Sequence, residues 1–203
     1  MRVLSMIGVA AALLVSACDS NKSAPISNAH SETSPAKAQQ AQPKEQGMTA
    51  FKLESSAFTA GGSIPKDHTC EGKNSSPPLS WSAAPMGTKS FALIIDDPDA
   101  PDPAAPKRVW VHWVIYNIAA AVTSLPQGVS PAGALDGVND WNKPGYAGPC
   151  PPIGKHRYFH RLYALDTVLP DLKGPSKVAL LQAMQGHILA QAELMGSYQK
   201  SGQ

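Results

Sequence analysis

The stretch Phe91-Ala92-Leu93-Ile94-Ile95-Asp96-Asp97-Pro98-Asp99-Ala100-Pro101 decides how this chain is read. An apolar run from Phe91 to Ile95 stops abruptly in acids and prolines. A run this short, bounded this sharply, predicts a strand buried on both faces. Beyond it, an extended backbone puts Asp97 and Asp99 on one side, because side chains alternate with a period of two, and proline on either side stiffens that presentation.

Working outward, Val109 to Ile118 is a longer run rich in Val, Trp, Tyr and Ile, which favours a second strand over a helix. Strict alternation sets His112 on the face of Trp110 and Val114, opposite Val111 and Trp113. An imidazole embedded in so apolar a strand is costly without a partner. Tyr158 to Leu165 reads as a third strand, with His156 and Tyr158 just sharing a face and Arg157 on the other. Between the strands lie turn-rich stretches, Asp97 to Pro106 and Lys143 to Gly154, and such loops carry sites more often than cores do. At the C-terminal end Val178, Leu181, Met184, Ile188, Ala192 and Met195 recur at helical spacing after Gly174-Pro175-Ser176, which predicts a terminal amphipathic helix capped by Ser176. Met184 and Met195 are read as core filler and His187 as a surface or satisfied core residue.

The flanks divide the 203 residues into three parts. Residues 1–17 read as a leader, with Arg2 as the basic start and Val3 to Val15 as an apolar segment too short to span a bilayer. Val15-Ser16-Ala17-Cys18 resembles a bacterial lipobox, so Cys18 is expected to be acylated, anchoring the protein in a cell-envelope membrane and facing the periplasm or exterior. Residues 18–48 hold almost no bulky apolar side chain and read as a flexible tether of roughly 30 Å span. Residues 49–203 form one domain. In an oxidising compartment Cys70 and Cys150 are the pair left once Cys18 is acylated; they are either a disulfide or two separate buried thiols, since spacing alone fixes neither their separation nor their direction. A formal net charge of +2 gives no reason to invoke nucleic acid.

Singly, the polar signals are weak: a strand histidine is usually a satisfied core residue, and Asp-Pro-Asp is usually a turn. Two histidines, two aspartates and a tyrosine would suit a metal, but the closely spaced ligand pairs of helical or Cys-x-x-Cys sites are missing, so no metal is expected. No Gly-x-Ser-x-Gly elbow occurs, which argues against a serine hydrolase. A hydrolase using His112 as base and Asp97 as its orienter is the weakest reading weighed.

The series Pro77-Pro78-Leu79-Ser80-Trp81, Asp97-Pro98-Asp99-Ala100-Pro101, Trp110-Val111-His112-Trp113, Gly148-Pro149-Cys150-Pro151-Pro152 and His156-Arg157-Tyr158, in that order, resembles the phosphatidylethanolamine-binding protein family, in its bacterial branch described as Raf kinase inhibitor-like. The likeness covers about residues 51 to 200. It implies a mainly β (α+β) fold: a central antiparallel β-sheet, a second smaller sheet and peripheral helices including a C-terminal helix. It further implies a pocket at one end of the sheet containing Asp97, Asp99, His112, His156 and Tyr158, walled in part by Pro149, Cys150 and Pro151, with no cofactor. Chemically, Asp97 is expected to orient a histidine, Asp99 to be the more exposed acid that meets an ammonium, and Tyr158 to donate to a phosphate oxygen. A histidine with an ordinary pKa of about 6.5 would supply positive charge near neutrality. The expected function is binding of phosphate-containing small anions or phospholipid headgroups, not enzymatic. The alternative is an inhibitor or scaffold acting on a kinase, protease or other envelope partner, which rests on association alone.

Overall fold

A computed structural model describes residues 50–202; the leader, Cys18 and the tether lie outside the described residues. The apolar run becomes the centre of a five-stranded sheet. β3 (Ser90–Asp97) is buried along its whole length, because β4 (Trp110–Ala119) and β7 (Lys155–Leu165) pair on its two edges and apolar layers cover both faces. With β6 (Leu135–Asp136) and β8 (Ile188–Gln199) outside, the order is β6-β4-β3-β7-β8, antiparallel throughout. A second sheet, β1 (Lys52–Glu54), β2 (Leu79–Ser82) and β5 (Ser124–Leu125), is ordered β1-β2-β5.

Alternation along β3 divides the core. Phe91, Leu93 and Ile95 face the small sheet and meet its Leu53, Leu79, Trp81 and Leu125. Ala92 and Ile94 face the other way, onto Leu180 and Met184 of the segment built around α1 (Lys177–Ala183). Each fully buried Leu, Ile or Phe contributes roughly 1.5 to 3 kcal/mol, so these two layers dominate the stability of the fold. The antiparallel register sets Asp97 opposite Trp110 and Asp96 opposite Phe159, so the end of β3 and the starts of β4 and β7 lie side by side.

Two sequence expectations are corrected here. The β3/β4 register shifts between Ile95, which faces Trp113, and Asp96, which faces Val111, passing over His112. A bulge of this kind inserts one extra residue, and alternation restarts beyond it. Val111 and Val114 therefore share one layer and Trp113 lies in the other, so His112 and Val114 are not the facemates that strict alternation expects. The terminal helix is likewise shorter than its periodicity suggests. Ser176 does cap it, its hydroxyl accepting from the Ala179 N–H at 3.3 Å, and Met184 is core filler as expected. But Gly186, at φ 79°, stands in the left-handed region beyond the helix, and Ile188, Ala192 and Met195 belong to β8. Eleven register pairs with β7 outweigh an isolated helical repeat, and β8 turns Ala192, Leu194 and Tyr198 inward with Glu193 and Gln199 outward.

Candidate functional site

Where the three strand ends meet, the chain encloses a cavity of about 280 Å³. Asp97 reaches it from the end of β3, His112 from the bulge of β4, and His156 and Tyr158 from alternate positions of β7, with Cys150 and Pro151 in the wall. Six of the eight residues expected from sequence are thus brought together.

The buried pair His156 and Asp97 is built as one unit. Nδ1 of His156 lies 2.7 Å from Asp97 Oδ2, and Nε2 lies 3.0 Å from the Ile153 carbonyl. A carbonyl only accepts, so Nε2 carries hydrogen, and a second proton is shared between Nδ1 and the carboxylate. Whichever atom holds it, the pair is neutral in sum. Asp97 Oδ1 accepts the Asp99 N–H at 2.8 Å, which closes a turn directly after the strand.

That turn is why Asp99 parts company with Asp97. Rather than an exposed acid poised for an ammonium, Asp99 is 4% exposed and gripped by Arg157: Nε and Nη2 donate at 2.9 and 2.7 Å and the backbone N–H at 2.9 Å. Hydrogen bonds from the Arg157 side chain hold its carboxyl below the usual carboxylate range. Asp99 therefore supports the pocket from behind. Pro149 also stands off the cavity, its carbonyl accepting from Cys70 N–H at 3.1 Å.

His112 differs from the expectation of a histidine charged near neutrality. Its Nδ1 lies 2.6 Å from the Ala147 carbonyl, which fixes the hydrogen there and leaves Nε2 as a bare acceptor. Burial pushes its pKa below the usual imidazole value, so the neutral ring prevails. It stands edge-on to Tyr158 and Trp141, each 5.2 Å away between ring centroids. Tyr158 is 1% exposed, and its hydroxyl has no hydrogen-bond partner among the described residues; the same holds for the Trp110 indole N–H. Burial pushes the Tyr158 hydroxyl far above its usual pKa, so it remains a donor. Buried polar groups nearly always find a partner, so two idle donors lining one cavity are a ligand's complement. No lysine or arginine lines it among the described residues.

Sequence reasoning missed Trp110 as a wall residue, together with Trp141, Ala100, Pro101 and Pro152. Trp141 had one legible signal, an indole set among the turn formers Asn139, Asp140 and Asn142. Its loop is pinned by Asn139, whose Oδ1 accepts the Trp141 and Lys143 N–H groups at 3.0 and 3.2 Å, and by Asp140, which accepts from the Val111 N–H at 2.9 Å. Cys70 and Cys150 form a disulfide, with Cα atoms 5.4 Å apart, which settles the open choice between a bridge and separate thiols.

Comparison with known proteins places this geometry. Residues 54–199 match the sequence family described as phosphatidylethanolamine-binding protein. A UPF0098 protein of Methanothermobacter thermautotrophicus is 51% identical over 155 residues, covering 74% of this chain and 99% of the relative. Among solved structures, a putative phosphatidylethanolamine-binding protein homologue from Chlamydia trachomatis is 47% identical with a TM-score of 0.71, covering 75% of this chain and 99% of that one. YbcL of E. coli is 34% identical with a TM-score of 0.67, covering 74% and 99%.

Proposed function

Since this chain belongs to the phosphatidylethanolamine-binding protein family, we propose that its cavity is a binding site for a phosphate monoester in its singly charged, monoprotonated form, and that the protein binds rather than transforms its ligand. The observation that carries this is the pair of buried donors without partners among the described residues, the Tyr158 hydroxyl and the Trp110 indole N–H, in a cavity whose one ion pair is already neutral in sum. Donors of this kind stabilise partial negative charge, whereas a dianion would face Asp97 with no lysine or arginine among the described lining residues to compensate.

The bare Nε2 of His112 completes the reading. It accepts a hydrogen, and a phosphate monoester still holding its second proton has one to give; a bound dianion would leave the two lone pairs opposed. One proton must therefore accompany the ligand, on its oxygen or on Nε2. The second ionisation of a phosphate monoester lies near pH 6, so affinity should fall about tenfold per pH unit above that point. Calorimetric titration with phosphorylethanolamine, on the native protein and on His112→Ala, tests this. Affinity independent of pH, or unchanged in the variant, overturns it.

The residues Val15 to Cys18 support a second part of the proposal, that the domain is held at an envelope membrane by acyl chains on Cys18. Metabolic labelling with a radioactive fatty acid, lost in Cys18→Ser, is the expected result.

A further inference from the structure

The cavity has a neighbour. A second hollow of about 270 Å³ adjoins it, and Trp141 and Cys150 line both. The Trp141 indole and the Cys70–Cys150 disulfide are therefore the partition between the two spaces. Trp141 is 40% exposed, propped edge-on against Trp110 and His112 at centroid distances of 5.2 Å. A flat apolar side chain open to solvent offers a surface that a ligand's chain can lie across.

The polar character of the two hollows is opposite in kind. In the cavity, the charges of His156 and Asp97 cancel. In the second hollow the sole charged side chain among the described residues is Lys143, and its ammonium joins none of their ion pairs. Its backbone is held on both sides by Asn139, through the N–H bond above and a carbonyl that accepts the Asn139 N–H at 2.9 Å. Asn74 lines the same space; its Oδ1 accepts the Gly148 N–H at 2.7 Å, which assigns the amide and leaves its NH₂ group as an idle donor. An ammonium-bearing and an amide-bearing side chain lining one hollow suit an acid.

We propose that the two hollows form one two-part site, whose ligand carries a phosphate-type group in the cavity and a second acidic group, joined by a short chain that crosses Trp141, over the second hollow beside Lys143 and Asn74. This rests on the oxyanion reading of the cavity and narrows it. A phosphoethanolamine end, being cationic, meets Lys143 as a like charge; a phosphorylated acid meets it as a partner. The chemical class is thus a phosphate monoester or phosphonate bearing a carboxylate.

The test uses a series of phosphonocarboxylic acids of increasing methylene count, with inorganic phosphate and phosphorylethanolamine as references, titrated by calorimetry into the native protein and into Lys143→Ala. Lys143 is exposed and its backbone bonds survive truncation, so folding is not at issue. At the best chain length the series should exceed inorganic phosphate by about fivefold, the upper range for a solvent-facing ion pair. That advantage should vanish in Lys143→Ala and shrink with added salt. Affinity independent of chain length, or an advantage that survives in Lys143→Ala, overturns the two-part site while leaving the cavity reading intact. If inorganic phosphate itself fails to bind the native protein, the cavity reading falls and this inference with it.

Discussion

Asp96 and Asp97 are neighbours in sequence and almost equally buried, at 1% and 3% exposure, yet they serve opposite ends. The pleat sends them to opposite faces of β3. Asp96 faces the α1 side and is fully occupied: the Arg161 guanidinium donates to one oxygen, the Lys177 ammonium to the other, and Glu193 shares Arg161. Asp97 faces the cavity and is matched to a histidine, with two further donors nearby left idle. A closed charge network braces the helix against the sheet; an incomplete one waits for a ligand. Burial alone does not tell structure from function; an unsatisfied buried donor does so where it also lines a cavity, as those of Tyr158 and Trp110 do.

The comparison breaks most readily on the Asp96 side. Asp96→Asn strips Arg161 and Lys177 of their common partner, and removing one member of a buried ionic cluster costs about 3 to 5 kcal/mol. Chemical denaturation should register that loss while phosphorylethanolamine affinity stays the same. A variant that unfolds no sooner, or that loses binding, would erase the distinction between the faces.

Next in size is an acid effect at His160, two residues beyond Tyr158 on β7. Burial pushes its pKa down to about 4, and its Nδ1 has no partner among the described residues. It does not line the cavity; Phe58 packs against its ring at 5.4 Å. Because the folded value lies below the unfolded 6.5, the stabilisation is complete above pH 6.5 and is lost as the pH falls toward 4. The span corresponds to about 3 kcal/mol. Denaturation midpoints measured across this window should fall steeply in the native protein and flatten in His160→Phe. An equal slope in both would assign acid sensitivity elsewhere, with Asp99 and its Arg157 partner next in line at lower pH.

The smallest effect is the sharpest discriminator. Tyr158→Phe removes a buried hydroxyl that bonds nothing among the described residues, so stability should hold or rise slightly. Binding loses one hydrogen bond, about 1 kcal/mol, or fivefold in affinity. A variant that is destabilised with its affinity intact would make Tyr158 part of the core and not of the site.

These contrasts also mark how far the sequence was legible. The strands β3, β4 and β7 were readable because their apolar content exceeds anything a loop could hide, and the His156/Tyr158 facemates followed from simple parity. Parity failed at His112, since a bulge is created by pairing with β3 and leaves no trace in the strand's own residues. It failed again at Asp99, where a side-chain acceptor on Asp97 curls the chain before extension can continue. In the C-terminal segment, Ile188, Ala192 and Met195 fit a helical repeat equally well, and β7 settled the matter by supplying partners. Trp141 became a wall because its N–H bonds Asn139 and because the neighbouring Asp140 accepts from the Val111 N–H of β4, contacts that only the folded chain makes.

What the sequence determined by itself was the class of the fold and most of the chemical inventory of the cavity: apolar runs require burial whatever their surroundings, and the motif order carries the family. What tertiary structure alone decided was charge and vacancy of bonding. It neutralised His112 by burial, cancelled His156 against Asp97, turned Asp99 to Arg157 and left the Tyr158 hydroxyl and the Trp110 indole N–H without partners among the described residues. Protonation and hydrogen-bond satisfaction depend on neighbours distant in sequence, and those neighbours exist only once the strand ends have met.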